Sequence, residues 1–376
     1  MRPTRAEISL DAIRYNLAAL GEMAGPEVKI LAMVKANAYG HGAAAVARCL
    51  VDAGAAMLGV AFPEEGAELR AAGLGVPILV FGGVPVDQLP FALENDLTLA
   101  ISEAATAEAI NRLGGKLGCP ISVHLKVDTG MSRMGVRDDE AAELMRRVRA
   151  MEHVRVEGVC SHFSSADEED LSVSREQICR FGRLLQTLAG DGARFDYVHL
   201  ANSAAIMYLP ESCSARLLDE AGCEGATILA RPGISLYGLY SSGRGAEKID
   251  LKPALALKSA VVLKKILRKG EGVSYGLTWR AERDSVIGVV PVGYGDGYSR
   301  SLSNKGQVRV GEGLAPVVGR VCMDATMIDL TGLPDVEVGT EVTLIEARHD
   351  SPISAEAIAR LTGTISHEVL TRITSR

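Results

Sequence analysis

Five charged or titratable side chains stand where short apolar runs of this 376-residue chain come to a stop. Lys35 closes KILAMVK (29–35), and Lys126 lies near the end of ISVHLKV (121–127). His162 follows VRVEGVC, Arg231 follows ATILA, and Arg133 sits in the loop TGMSRMG (129–135). A lysine with an apolar strand behind it is partly desolvated, which lowers its pKa and makes it a Schiff-base nucleophile and a proton carrier. An ordinary surface lysine would end a strand equally well. Arg133, in a loop bounded by glycines, has the planar fork that grips a carboxylate. Asn202 and Ser203 open a helical pattern, where unpaired backbone N–H groups and a hydroxyl favour a phosphate, although a plain helix cap needs no ligand. Tyr39 lies next to Gly40 and near Gly42, and Gly233 and Ile234 follow Arg231; glycines at such places let backbone approach a ligand closely. No metal site is expected. The seven histidines lack HExxH spacing, and the seven cysteines, Cys322 among them, never form a CxxC pair.

Stepping from residues to elements, eight β-branched runs alternate with helical patterns between Lys29 and Gly238. That rhythm predicts an α/β fold with an N-terminal (β/α)8 TIM barrel over residues 1–240. An open doubly wound sheet is the alternative, disfavoured because no GxGxxG follows the first strand. SSGRGAEKID (241–250) reads as a linker. Beyond it, short strand-like runs divided by Gly and Pro predict a mainly β second domain over 241–376, with one short helical stretch at SAEAIARLTG. In a barrel of this kind, chemistry sits at the carboxyl ends of the strands and phosphate at the loops after the seventh and eighth. A lysine at one strand end and a phosphate cradle on the last two suit a phosphorylated aldehyde, and pyridoxal phosphate fits.

Composition narrows the function classes. Hydrophobic residues make up 47% and charged residues 23%, which gives ample material for a core. A net charge of −7 with only 4% aromatics is a poor match for a nucleic-acid binder. No run approaches a membrane span, the N-terminus lacks the apolar region of a secretory leader, and scattered cysteines suggest a reducing, cytoplasmic setting.

The motif MVKANAYGHG (33–42) resembles the cofactor-lysine signature of the alanine racemases. The resemblance continues through LKVDTGMSRMG (125–135), SHFSSAD (161–167), HLANSAA (199–205), RPGISLYG (231–238), VSYGLTW (273–279), VGYGDGYSR (292–300) and GRVCMDATM (319–327). It implies that Lys35 holds pyridoxal phosphate and is the base on one face of the substrate α-carbon. Tyr275 of the other subunit would be the base on the opposite face, so a homodimer with shared active sites is expected. Tyr39, Asn202, Ser203, Gly233 and Ile234 would serve the phosphate, and Arg231 would face the pyridine nitrogen. Arg133 and the partner's Met323 would hold the substrate, alanine. Lys126, often carbamylated in the family, would orient Arg133. His162 would lie near Tyr275 and Arg231, and Tyr294, Cys322 and Asp324 would belong to the partner's side of the pocket. One departure stands out: His367 occupies a position where the family usually has tyrosine. A racemase for another amino acid such as serine, a basic amino-acid decarboxylase on the same barrel, and a non-enzymatic pyridoxal-phosphate carrier are the competing readings.

Overall fold

The protein is described from a computed structural model covering residues 2–333 and 335–373. Eight parallel strands close into a barrel: Lys29–Met33, Met57–Val60, Ile78–Val80, Thr98–Ile101, Ile121–Asp128, Val154–Cys160, Tyr197–His199 and Thr227–Ala230. Each pairs with the next in sequence, and the eighth returns to the first through Leu229↔Lys29 and Ala230↔Ile30. A two-residue strand, Val136–Arg137, extends the fifth at its carboxyl end. The strands are almost wholly buried, as parallel strands covered on both faces must be, and this explains their unbroken apolar runs.

The strands are shorter than the apolar runs suggest. ATILARPGISLYG yields only Thr227–Ala230, because Pro232 offers no N–H to the ladder and the chain then turns through a 3-10 helix at Ile234–Tyr237. Residues just past the strand ends, Arg231 and His162 among them, form the rim that carries the chemistry.

Two features correct the expected layout. The strand Arg5–Ile8 does not belong with the barrel: it pairs antiparallel with Leu255–Ala260 of the second domain, so the two domains interleave at the N-terminus. An unanticipated helix, Leu10–Ala24, follows it, with the Ser9 hydroxyl accepting from the Ala12 N–H. It packs against the Ile234–Tyr237 turn and the helix Ala43–Asp52. It thereby covers the seam between the last and first barrel strands, where no long helix follows the eighth. Buried Asn16 locks it there, donating to the carbonyls of Leu236 and Lys252 and accepting from the Lys252 N–H.

The second domain contains a five-stranded antiparallel sheet (Arg5–Ile8, Leu255–Ala260, Glu341–Ile345, Gln307–Val310, Gly313–Pro316) and a three-stranded one (Leu263–Leu267, Ser285–Val290, Thr326–Asp329). Two helices end the described chain, Ala355–Thr362 and Ser366–Thr371. The second returns to the barrel and lies against the segment after Lys35.

Candidate active site

A cavity of about 470 Å³ opens at the carboxyl ends of the barrel strands. Lys35, Tyr39, Lys126, Arg133, His162, Asn202, Ser203, Arg231, Gly233, Ile234 and His367 all line it. The strand ends bring together residues from Lys35 to Ile234, and the C-terminal helix Ser366–Thr371 adds His367.

Lys35 enters from an unusual turn. Ala36, Asn37, Ala38 and Tyr39 all have φ between 52° and 53°, a left-handed turn of four non-glycine residues. Each such residue costs about 1 kcal/mol or more, so the surroundings must hold the turn in place. Glu65 accepts from the Ala36 N–H at 2.6 Å and from the Ala61 N–H at 2.7 Å. Asn37 Oδ1 accepts from the Ala43 N–H at 2.8 Å, and the Tyr39 ring packs against buried Tyr237 at 4.8 Å. Glu65 escaped the sequence reading because it looks like a simple helix cap after Pro63; only the fold shows that it also grips the lysine turn. Burial lowers the Lys35 amine below its ordinary pKa, and the nearby Arg133 charge adds to this.

The loop carrying Arg133 is shaped by Asp128, whose Oδ1 accepts from the N–H groups of Gly130, Met131 and Ser132 at 2.9, 2.9 and 3.1 Å. Lys126 is 7% exposed, and its amine is pulled down to about 8, first by burial and then by the Arg231 and Arg133 charges, with Cys160 and Asp128 opposing.

Arg231 is 3% exposed. It donates to the carbonyls of Ser161 (2.6 Å) and Leu200 (3.1 Å), and to ring nitrogens of His199 (2.9 Å) and His162 (3.2 Å). Among the described residues no carboxylate pairs with it. Burial first, then the Arg231 charge, depresses the His162 pKa, and its Nδ1 accepts from the donor-only guanidinium. His199 was absent from the expected site. It lies behind Arg231 rather than on the cavity wall, and HLANSAA gave no sign of which side it would face.

The same cavity contains a polar cradle. Ser203 Oγ accepts from the Gly233 N–H at 2.8 Å, and Asn202 caps the following helix through the Ala205 N–H. A Cβ on Gly233 would lie 2.4 Å from Tyr39 Oη, so glycine is required for the tyrosine hydroxyl to reach the cradle. His367 leans toward Tyr39 with ring centroids 6.1 Å apart, and its Nδ1 is buried without a protein partner. Burial and then the Lys35 charge lower its pKa. An amine for the aldehyde, a small-residue and hydroxyl cradle for the phosphate, and an arginine in the same cavity fit pyridoxal phosphate.

Tyr275, Tyr294, Cys322, Met323 and Asp324 do not join this cavity. They share a surface of the second domain, where the Tyr294 N–H donates to the Cys322 carbonyl and the Gly295 N–H to that of Met323. Ser274 Oγ donates to the Arg320 carbonyl at 2.6 Å and lies 3.4 Å from Cys322 Sγ. Tyr275 is 71% exposed, Met323 50% and Tyr294 43%.

Residues 8–241 match the family model described as alanine racemase, N-terminal domain, and residues 254–376 match alanine racemase, C-terminal domain. The alanine racemase of Halothermothrix orenii is 44% identical over 375 residues, covering 100% of this chain and 96% of that protein. That of Desulforamulus reducens is 43% identical over 376 residues, covering 100% and 97%. Among solved structures, the alanine racemase of Clostridium difficile 630 superposes with a TM-score of 0.92 at 34% identity, covering 100% of this chain and 94% of that one. The alanine racemase of Bacillus anthracis with bound L-Ala-P gives 0.87 at 36%, covering 100% and 93%. With both domains matched and the barrel-end lysine in its expected place, the chain belongs to the alanine racemase family.

Proposed function

We propose that this chain interconverts L- and D-alanine with pyridoxal phosphate, as a cytoplasmic homodimer that supplies D-alanine for peptidoglycan. One observation carries the reading. The cavity holds the Lys35 amine at the end of the first barrel strand, while the phenol that resembles the family's second base is exposed on the other domain. Racemisation needs proton removal on one face and delivery on the other. Two fixed bases achieve this without either swinging around the substrate. A second copy of the chain, presenting its Tyr275 surface to the open cavity, completes the pair.

Within that arrangement Lys35 would attach the cofactor, and Tyr39, Ser203, Gly233 and Ile234 would hold its phosphate. Bound, pyridoxal phosphate delocalises the electron pair left when the α-hydrogen departs. Lys35 Nζ takes or gives that proton on one face; its lowered pKa leaves more of it unprotonated near neutrality. Tyr275 Oη of the partner subunit does so on the other. Arg133, with Met323 of the partner subunit, would hold the substrate carboxylate, and Lys126 would orient Arg133. Arg231 donates hydrogen bonds without giving up a proton. His162, accepting through Nδ1, keeps one guanidinium nitrogen in place. No described helix is long and apolar enough to cross a membrane. All seven cysteines are unpaired, which supports a reducing compartment.

The test is chiral analysis of products from purified protein given L-alanine, L-serine and the basic L-amino acids in turn, with borohydride used to fix the cofactor to its lysine. D-alanine as the dominant product and a label on Lys35 are expected. Carbon dioxide release from lysine or ornithine, or absence of α-hydrogen exchange in deuterated water, would overturn the reading.

A further inference from the structure

Behind Arg231 lies a row of buried polar side chains that the reaction described above does not use. Arg231 Nη1 is 2.9 Å from His199 Nδ1, His199 Nε2 is 2.7 Å from His124 Nδ1, and His124 Nε2 is 3.4 Å from Glu157 Oε1. His199 and His124 are both fully buried. His124 Nε2 is buried and forms no well-aligned hydrogen bond among the described residues; the carboxylate it faces is Glu157, in an ion-pair contact at 3.4 Å.

The direction of the row follows from hydrogen-bonding capacity alone. A guanidinium carries five N–H donors and no acceptor. His199 Nδ1 must therefore accept, which puts the His199 proton on Nε2. That proton points at His124 Nδ1, which must accept in turn, so His124 also carries its proton on Nε2. The row ends on the Glu157 carboxylate, which only accepts. Burial lowers the pKa of both imidazoles, with the Arg231 charge contributing to each and Glu157 opposing at His124. Burial pushes the Glu157 carboxyl up, but hydrogen bonds from His124 and Ser122 outweigh it and leave the group below its ordinary value.

The barrel makes room for this row. A Cβ at Gly158 would lie 2.4 Å from His124 Nδ1, so the glycine on the neighbouring strand leaves the space that the ring fills. Tyr197 stacks on the other side of His124, and Phe81 meets His199 edge-on.

We propose that Glu157 is a positioning residue for Arg231, acting through His124 and His199. Facing His124 Nε2, its carboxylate favours from the far end the same Nε2–H forms that the guanidinium requires from the near end, and so helps keep His199 Nδ1 open to the guanidinium. Without the carboxylate, His124 is free to carry its proton on Nδ1. Two N–H groups would then face each other, His199 would be driven to the opposite form, and Arg231 would lose the acceptor that aims it. The effect on turnover rests on the proposed racemase reaction, whereas the proton positions do not.

The experiment is a long-range proton–nitrogen correlation on the holoenzyme with nitrogen-15 histidine. Nε2–H at both His124 and His199 is expected, and Nδ1–H at His199 overturns the proposal; this measurement needs no variant. Glu157→Leu should shift His124 toward Nδ1–H and lower kcat by roughly tenfold, with KM within about twofold. Glu157→Gln, which keeps an acceptor oxygen, should restore the tautomers and most of kcat. Unchanged tautomers in Glu157→Leu, or equal losses in both variants, would also overturn it. If the protein does not racemise alanine but the tautomers are as stated, the reaction assignment fails and the positioning geometry stands.

Discussion

Lys126 shows how one side chain's surroundings set its chemistry. A lysine ammonium is ordinarily inert near neutrality, but burial beside Arg231 and Arg133 brings this one to about 8. Only the neutral amine adds carbon dioxide, and its fraction grows as pH rises through that value. Carbon-13 bicarbonate should therefore give a carbamate signal that strengthens from about pH 7 to about pH 9 and disappears in Lys126→Met. A signal indifferent to that substitution would place the modification elsewhere. Tyr275 belongs to the same scale. Replacing it with phenylalanine removes the phenolic hydroxyl and leaves the rest of the ring. Interconversion should fall by about 100-fold or more, while Lys35 still exchanges the α-hydrogen of one enantiomer with deuterated water. Retention of the parent rate would show that the phenol is not the second base.

At the scale of elements, the left-handed turn Ala36–Tyr39 and the terminal helix Ser366–Thr371 depend on each other. Gly40 sits between them with φ near +84°, and a Cβ there would lie 2.3 Å from the Leu370 carbonyl oxygen. Gly40→Ala would have to push the helix away or unwind the turn. A loss of about 1–3 kcal/mol is expected, measured by denaturant unfolding, together with weaker cofactor retention because His367 rides on that helix. Loss of stability with cofactor affinity unchanged would show that the turn holds Lys35 without the helix. The helix was invisible in the sequence because SHEVLT is too short to show a period; SAEAIARLTG, two residues longer than the helix it forms, was not. The helix Leu10–Ala24 was overlooked for another reason. An eight-unit barrel is expected to end on its own helix, and nothing local to ISLDAIRYNL says that it closes the far seam.

At the scale of the whole molecule, one chain keeps the cavity and the Tyr275 surface apart, and the proposed function needs them to meet. Mixing Lys35→Ala and Tyr275→Phe chains through dissociation and reassembly tests whether they meet across subunits. Each mixed dimer would contain one site with both lesions and one intact site. An equal mixture should then recover about a quarter of the parent activity, although each variant alone is nearly dead. No recovery, with mixed dimers verified by mass, would mean that Lys35 and Tyr275 act within one chain.

The barrel, its eight strands and the residues at their ends were legible from the chain itself, because parallel strands buried on both faces leave continuous apolar runs and the chemistry sits where those runs break. The motif blocks around Lys35, Arg133, Ser203 and Arg231 were equally legible. Tertiary structure alone decided which buried groups stand behind them. Glu65, His199, His124 and Glu157 act across strands and turns, through distances that no local spacing encodes. It also decided that Arg5–Ile8 belongs with the second domain, since antiparallel pairing joins segments about 250 residues apart by their edges, and an edge leaves no mark in either segment's composition.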